Sequence, residues 1–155
     1  MNLSFLDRAL ELAAENVDRG CGGPFGALVV RDDVVLAEGA NLVTSAKDPT
    51  AHAEIIAIRR ACSVLGSFIL RGCELYSSCE PCPMCLSASY WARLDRIYFA
   101  ANRHDAAVAG FDDEFLYQEL SRDPKQRRMK LIPLKHPKAN YPFEQWRRKA
   151  DRTLY

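Results

Sequence analysis

The sequence has 155 residues, of which 48% are hydrophobic and 26% are charged, with six cysteines and a formal net charge of +1. This length fits one domain with a sizeable core, and the composition excludes a disordered chain, a collagen and a disulfide scaffold. No apolar run approaches the roughly 20 residues of a membrane span, and the amphipathic first segment is unlike a secretion signal. We therefore expect a soluble cytoplasmic protein.

Charge is unevenly distributed along the chain. Residues 121–155 contain eleven Lys and Arg against three Asp and Glu, a formal charge of +8, so that residues 1–120 carry −7. A basic segment of this kind is typical of a solvated face, of a surface that binds a polyanion, or of a segment that docks on an acidic body, its own or a second subunit's. Charge alone leaves these interpretations open.

Hydrophobic periodicity predicts helices alternating with strands. The predicted helices are 4–17, with Ser4 and Asp7 as a capping box, 49–64, with Asp48 or Thr50 as N-cap, 83–93, 113–120 and 142–150. The predicted strands are 26–30 and 34–38, joined as a hairpin, then 73–77, 96–100 and 130–134, whereas 101–112 is predicted as a loop. Pro133 makes the last strand an edge strand. This order predicts an α/β fold with one five-stranded mixed sheet covered by helices on both faces.

A histidine and two cysteines have the spacing of a metal site. His52 follows the start of the second predicted helix, and Cys82 and Cys85 are three residues apart at the start of the third. The two thiols therefore face the same way, and a helix N-terminus favours the thiolate that binds metal. One imidazole and two thiolates leave the fourth position of a tetrahedral zinc ion open to water, as hydrolysis requires. We predict one catalytic zinc ion per subunit.

Glu54 is the predicted catalytic carboxylate. It stands two residues after His52, within reach of zinc-bound water, and such a carboxylate takes a proton from water and gives it to a leaving group. A structural zinc is the alternative, and it normally has a fourth protein ligand. Cys79 is a candidate for that ligand, but Pro81 separates it from the helix that aligns the other thiols. We predict that Cys79 packs at the end of a strand.

Several segments resemble the cytidine-deaminase-like superfamily, which includes guanine deaminases and tRNA adenosine deaminases. They are 23–27 (GPFGA), Asn41, 48–54 (DPTAHAE) and 79–85 (CEPCPMC). The stretch 105–115 (DAAVAGFDDEF), with a final Tyr155, is similar to small bacterial-type guanine deaminases. The resemblance implies a three-layer α/β/α fold. It also implies hydrolytic conversion of guanine to xanthine and ammonia, in which zinc-activated water attacks C2 and Glu54 shuttles the proton.

The resemblance also indicates candidates for binding the base. Asp113, with Asp112 as the alternative, is an acceptor-only group suited to the adjacent N1–H and 2-amino donors of guanine. Either aspartate could instead cap the helix that begins there. Asn41 can both donate and accept, and backbone donors near Ala53 and Cys82 are candidates for stabilising the tetrahedral intermediate. Three aromatic candidates complete the set: Phe25 and Trp91 by stacking, and Tyr155 by resemblance alone.

In the small bacterial-type guanine deaminases that the chain resembles, the C-terminal segment is exchanged between two subunits. The resemblance therefore implies a homodimer of a single zinc-dependent deaminase domain, residues 1–155, in which residues 121–155 close the partner's site. Glu144 is a candidate to enter the partner's site in this way. Glu80, just before the cysteine pair, is a candidate to orient a ligand or to relay protons.

Two other functions fit parts of the same pattern. A tRNA adenosine deaminase has the same zinc site and would use the basic segment to bind RNA. Asp112 and Asp113 place negative charge near the site, so we do not expect a nucleic-acid partner. A zinc-bearing interaction module without activity is the third interpretation, and the presence of Glu54 argues against it.

Overall fold

A computed structural model of the chain describes residues 2–154. The chain divides into two compact units, an N-terminal unit that ends at Leu116 and a C-terminal unit that begins at Tyr117. In the described residues, no helix is both long enough and apolar enough to cross a bilayer.

Helices and strands alternate through the N-terminal unit, as the periodicity predicts. The helices are α1 (Leu3–Asp18), α2 (Val43–Ala46), α3 (Ala53–Leu65), α4 (Pro83–Trp91), α5 (Arg103–Val108), α6 (Glu114–Ser121) and α7 (Tyr141–Arg148), with a 3-10 turn at Pro124–Gln126. The strands are β1 (Gly26–Arg31), β2 (Val34–Ala40), β3 (Cys73–Cys79) and β4 (Arg96–Ala101).

The strands form one mixed sheet in the order β2-β1-β3-β4. β1 is antiparallel to β2 and to β3, and β3 is parallel to β4. The predicted hairpin is confirmed. Its turn residues Asp32 and Asp33 have φ angles of 50° and 58°, which suits a two-residue turn because aspartate tolerates the left-handed region. The sheet therefore has two interior strands, β1 and β3, with helices available on both faces.

Both faces of the interior strands are buried, which makes the three layers of the predicted α/β/α arrangement. Val29 and Leu75 belong to the core cluster that includes α3 residues, whereas Val30 and Tyr76 belong to the cluster that packs against α1. Gly39 allows α3 to approach β2 closely, since a Cβ atom there would lie 2.2 Å from a carbonyl oxygen at the first turn of α3. The start of α3 is thus held directly on the sheet.

The prediction of a fifth strand at 130–134 is wrong. In the described residues the sheet has four strands, and this segment has no regular secondary structure. Pro133 has no N–H to donate to a ladder. Leu131, Ile132 and Leu134 are 62%, 75% and 84% exposed, so this short apolar run consists of surface side chains and not of a buried strand.

Two predicted helix starts also differ from the structure. α1 is capped by Asn2, whose side chain accepts a hydrogen bond from the backbone N–H of Ser4, so Ser4 is inside the helix and not its cap. α3 begins at Ala53 and not at residue 49, because Asp48 accepts bonds from both the backbone and the hydroxyl of Thr50 and forms a separate turn. His52 is therefore the N-cap residue of α3.

The predicted loop 101–112 contains the short helix α5. Asn102 and Asp105 form a reciprocal capping box at its start, a pattern of Asn with Asp three residues later that the sequence displays. α2, four residues long, was not predicted from periodicity because one helical turn carries too little pattern.

Candidate zinc and substrate site

Two helix N-termini meet at the predicted zinc site. His52 is the N-cap residue of α3, Cys82 is the N-cap residue of α4, and Cys85 is the third residue of α4. The side chain of His52 makes no capping bond to the backbone of α3, so its imidazole is available to a ligand. Pro83 occupies the first position of α4, where a missing N–H costs nothing. The helix dipoles at both N-termini favour anionic sulfur at their common end.

The three side chains form one compact cluster of ligand atoms. Nδ1 of His52 lies 3.7 Å from Sγ of Cys82 and 3.5 Å from Sγ of Cys85. A nitrogen at about 2.0 Å and a sulfur at about 2.3 Å from a tetrahedral zinc ion are about 3.5 Å apart. In the described part of the chain, no fourth His, Cys, Asp or Glu joins this group. The cluster therefore has the donors and the spacing for one zinc ion with an open position.

Ionisation of the cluster agrees with a cation site. Hydrogen bonds from Cys85 and His52 lower the pKa of the Cys82 thiol to about 4, and the Cys82 sulfur in turn raises the pKa of His52. The neighbouring Cys82 sulfur and burial raise the pKa of the Cys85 thiol. A cation between the three groups would stabilise the negative charge on both sulfur atoms, and it would therefore favour the thiolate form of Cys82 and of Cys85.

Glu54 lies next to the cluster without belonging to it. Its side chain is buried at 5% exposure, and this burial raises its pKa. The hydroxyl of Ser77 donates to Oε1 over 3.3 Å, and the thiol of Cys85 donates to Oε2 over 3.5 Å. A buried carboxylate with a raised pKa beside three metal-binding side chains is suited to moving a proton.

A cavity of about 330 Å³ opens beside the cluster and lies within the N-terminal unit. This volume falls in the range of about 300–1,000 Å³ that small-molecule sites occupy. Of the predicted site residues, it is lined by Phe25, Asn41, His52, Glu54, Glu80, Cys82, Asp112 and Asp113. The structure thus brings together residues from five separate parts of the chain. Cys85, the third member of the ligand cluster, is fully buried and does not line the cavity.

Asn41 presents a defined end of its amide to this cavity. Its Oδ1 accepts hydrogen bonds from the backbone N–H groups of Val43, at 3.2 Å, and Gly23, at 3.4 Å. Its backbone oxygen accepts a 2.8 Å bond from the side chain of Asn16. Gly22 must lack a side chain, because a Cβ atom there would lie 2.1 Å from that same oxygen. With the oxygen end engaged, the amide nitrogen of Asn41 is the donor left for a ligand.

The two neighbouring aspartates have different surroundings. Oδ1 of Asp112 accepts a 2.9 Å bond from the backbone N–H of Glu114 at the start of α6, so Asp112 serves as the helix cap. Asp113 is half-buried, and this burial, with the nearby Cys82 sulfur, raises its pKa. The side chain of Asp113 is therefore the better placed of the two to accept hydrogen bonds from a ligand.

Sequence reasoning missed several cavity residues, among them Phe111 and Arg103. Phe111 packs edge-on against Phe25, with ring centroids 5.0 Å apart and an interplanar angle of 85°. Its position inside the 105–115 stretch, beside Asp112, was the available signal. Arg103 begins α5, and its backbone N–H donates to Glu80 over 3.1 Å, so Glu80 holds the start of that helix.

Three further candidates occupy other places. Trp91 ends α4, is 62% exposed and does not line the cavity; the Arg93 guanidinium lies 6.0 Å from its ring centroid. Glu144 lies in the first turn of α7 in the C-terminal unit. Tyr155 lies outside the described residues. Their roles stay predictions.

Two remaining residues lie close to the site. Ala53, the first residue of α3, is fully buried. Cys79 ends β3 and lies outside the ligand cluster, and burial raises the pKa of its thiol to about 11.

Comparisons with known proteins agree with this geometry. The family described as the cytidine and deoxycytidylate deaminase zinc-binding region matches residues 2–101. Guanine deaminase of Bacillus subtilis (strain 168) is 50% identical over 152 residues, which are 98% of this chain and 97% of that protein. The X-ray structure of guanine deaminase from Bacillus subtilis has a TM-score of 0.97 and 50% identity, covering 100% of this chain and 99% of that chain.

A second relative is similar over a shorter stretch. The tRNA-specific adenosine deaminase of Aquifex aeolicus (strain VF5) is 39% identical over 110 residues, which are 70% of this chain and 72% of that protein. The matched family region includes His52, Glu54, Cys82 and Cys85. The family match covers residues 2–101 and agrees with the observed sheet, the His-Cys-Cys ligand set and the buried glutamate. This chain therefore belongs to the cytidine and deoxycytidylate deaminase family of zinc-binding proteins.

Proposed function

We propose that this chain converts guanine and water into xanthine and ammonia. The observation that carries the proposal is the composition of one cavity. His52 and Cys82 of the ligand cluster line it together with the buried Glu54, and Asp113 and Asn41 also line it. The match to Bacillus subtilis guanine deaminase supports the choice of base, because it continues well beyond the family region that ends at residue 101.

His52, Cys82 and Cys85 hold the zinc ion, one per chain. When bound, zinc supplies Lewis acidity, which makes water a nucleophile near neutral pH. The protein contributes two things to this chemistry. It keeps three ligand atoms at a fixed spacing on two helix N-termini, and it leaves the open side of the cluster facing the cavity.

Glu54 moves the proton. Its carboxylate takes a proton from the water that attacks C2 of guanine and delivers a proton to the departing amine, which leaves as ammonia. The raised pKa of this buried carboxyl group makes it a stronger base than an exposed glutamate and a competent acid in the return step. Backbone N–H groups near Ala53 and Cys82, at the two helix starts, stabilise the negative charge of the tetrahedral intermediate.

Asp113, Asn41 and Phe25 bind the base. Asp113 accepts hydrogen bonds from N1–H and the 2-amino group, two adjacent donors that an acceptor-only carboxylate suits. The amide nitrogen of Asn41 donates to a ring nitrogen or carbonyl of the purine. Phe25 stacks on the base, and its edge-on contact with Phe111 fixes the orientation of its ring.

We propose further that two chains form a homodimer with exchanged C-terminal segments. Residues 121–155 carry +8 and residues 1–120 carry −7, so the segment of one chain is complementary in charge to the body of another. The segment also has apolar side chains that are open to solvent in one chain, among them Ile132 at 75% and Phe143 at 66% exposure. In this arrangement, Glu144 and Tyr155 of each chain close the partner's site.

The cysteines support the predicted cytoplasmic location. None of the six cysteines is paired in a disulfide bond, and three of them are buried. Free thiols are typical of a reducing compartment.

A tRNA adenosine deaminase is the second candidate function. The basic C-terminal segment and the 39% identity to the Aquifex aeolicus protein favour it. Asp112 and Asp113 at the cavity argue against it, because they repel phosphate.

Ammonia release from zinc-loaded protein tests the choice of substrate. The reactions compare guanine, adenine, cytosine, guanosine and an anticodon stem-loop RNA at equal concentration. We expect rapid release from guanine alone, whereas release from the RNA alone would replace the proposed function with the second candidate. The control is Glu54→Gln, which should keep its zinc and lose at least about 100-fold in turnover. A Glu54→Gln protein with full turnover would contradict the role of this residue.

A further inference from the structure

Ser77 is a buried hydroxyl in a row of apolar side chains. It lies on β3, an interior strand that is paired on both sides. Side chains of this strand alternate between the two cores: Cys73 and Leu75 pack toward α3, and Tyr76 packs toward α1. Ser77 therefore falls in the row that faces α3, where the strand pattern calls for an apolar residue, and it is only 1% exposed.

The partner of this hydroxyl is Glu54. Oγ of Ser77 donates to Oε1 of Glu54 over 3.3 Å, across 23 residues of sequence. A buried hydroxyl without a partner is unfavourable by more than the gain from an ordinary hydrogen bond. The position of Ser77 is thus explained by the carboxylate and not by the packing of the strand.

The other oxygen of Glu54 is held in a different way. Oε2 accepts from the thiol of Cys85 over 3.5 Å, and Cys85 is one of the three metal-binding side chains. A thiol that serves as a metal ligand is a thiolate and has no hydrogen to donate. In the metal-loaded protein, Ser77 is then the neutral side-chain donor that remains on this carboxylate.

We propose that Ser77 is a positioning residue that fixes the orientation of the Glu54 carboxylate for proton transfer. This inference rests on the proposed function. Ser77 is well suited to the task because its backbone is held in the ladders of two neighbouring strands and cannot follow the side chain. It acts on the rate of the chemical step, since it touches Glu54 and does not line the substrate cavity.

The next residue of β3 provides a matched control. Ser78 is also buried, at 3% exposure, but its side chain lies on the opposite face of the strand. There its Oγ accepts a 3.0 Å bond from the backbone N–H of Gly26. Ser77→Ala and Ser78→Ala each remove one buried hydroxyl from adjacent positions. Only the first removes a donor from Glu54.

The test is a comparison of single-turnover rates on guanine, with zinc-loaded enzyme in excess, together with steady-state kcat and KM. We expect Ser77→Ala to lower the single-turnover rate and kcat at least about tenfold with KM changed less than about twofold, because orientation affects the transition state and not binding. Ser78→Ala should leave the single-turnover rate within about twofold of the unmodified protein. Zinc content and thermal unfolding of each variant show whether the fold and the metal are retained.

A pair of equal-sized variants separates the hydroxyl from the volume. Ser77→Thr keeps the donor and Ser77→Val does not, while both place a side chain of nearly the same size and branching in a packed site. We expect the threonine protein to turn over at least about five times faster than the valine protein. This comparison replaces the first if the cavity left by Ser77→Ala prevents zinc uptake.

Coupling to Glu54 is the third measurement. In a protein with Glu54→Asp, whose shorter carboxylate is withdrawn from Ser77, the added change Ser77→Ala should have little further effect.

The outcomes distinguish this inference from the proposed function. If the unmodified protein releases no ammonia from guanine, the proposed function fails and this inference fails with it. If the unmodified protein is active, several results overturn this inference alone. They are unchanged turnover in Ser77→Ala, an equal loss in Ser78→Ala, equal rates in the threonine and valine proteins, and additive effects with Glu54→Asp. Loss of zinc from every Ser77 variant assigns the residue to folding and also overturns it.

Discussion

Asn16 joins two segments that line the cavity, and the loss of stability on its replacement can be predicted from its hydrogen bonds. Its side-chain nitrogen donates to the backbone oxygens of Gly23, at 2.9 Å, and Asn41, at 2.8 Å. Both partners are acceptors, so both amide hydrogens are used and the orientation of the amide is determined. Asn16 itself is 6% exposed near the end of α1.

Asn16→Leu keeps the shape of the side chain and removes both donors. The carbonyl oxygen of Gly23 still accepts a 2.8 Å bond from the backbone N–H of Phe25, whereas the oxygen of Asn41 loses its partner in a largely buried place, which costs about 1–3 kcal/mol. For a chain of this size, 1 kcal/mol corresponds to about 2–4 °C in the midpoint of thermal unfolding. We therefore expect the midpoint to fall by about 2–12 °C. The KM for guanine should also rise, because Asn41 loses a contact that holds its loop.

Thermal unfolding followed by circular dichroism measures this effect, at equal protein concentration and equal zinc content, since both change the midpoint. Asp18→Leu is the matched control. It makes a similar change two residues away, at an exposed position of the same helix, where substitutions usually change the free energy of unfolding by less than about 0.5 kcal/mol. A midpoint for Asn16→Leu within about 1 °C of the unmodified protein, or an equal loss in Asp18→Leu, would refute the reasoning.

Three further predictions concern the metal, the base and the fold. Cys82→Ser removes one ligand, so purified protein should lose most of its zinc, as measured by plasma mass spectrometry; retained zinc would contradict the ligand assignment. Asp113→Asn should lower kcat/KM for guanine about 10–100-fold, whereas Asp112→Asn, which keeps an acceptor for the helix cap, should change it less than about threefold. The hydrogen bonds of Arg8 lower the pKa of Glu38 below its ordinary value of 4.5. Their contribution to stability is present above that value and is lost as the pH falls, so Glu38→Gln should lose less stability than the unmodified protein between about pH 6 and about pH 3 in urea unfolding. An equal loss of stability in the two proteins over this pH range would contradict the stabilising role of the Glu38 carboxylate.

Local chemistry made the central part of the site predictable. Zinc needs particular donor atoms, and His52, Cys82 and Cys85 are recognisable because both sequence segments carry helix-start signals next to the ligands. The structure brings their three ligand atoms together as predicted. The hairpin of β1 and β2 was predictable for a similar reason, since its two β-rich runs and its turn residues lie within one short stretch.

Periodicity failed where an apolar pattern had two explanations. Leu131, Ile132 and Leu134 form a short apolar run like that of a buried strand, yet they are exposed side chains of an irregular segment. A pattern records which residues are apolar and not what covers them. The start of α3 was misplaced because Pro49 suits both a first helical turn and the separate turn that Asp48 and Thr50 form.

The sequence by itself predicted the ligand set, the candidate catalytic carboxylate and the class of fold, because each prediction depends on residue types at short spacing. Tertiary structure decided which neighbouring residue does which task. It engages Asp112 in a bond from the backbone N–H of Glu114, engages the amide oxygen of Asn41 with the backbone N–H of Gly23, and places Ser77 against Glu54. The physical reason is that the contacts of Asn41 with Gly23 and of Ser77 with Glu54 join residues 18 and 23 positions apart in the chain. Their distances follow from strand order and helix packing, which no local pattern contains.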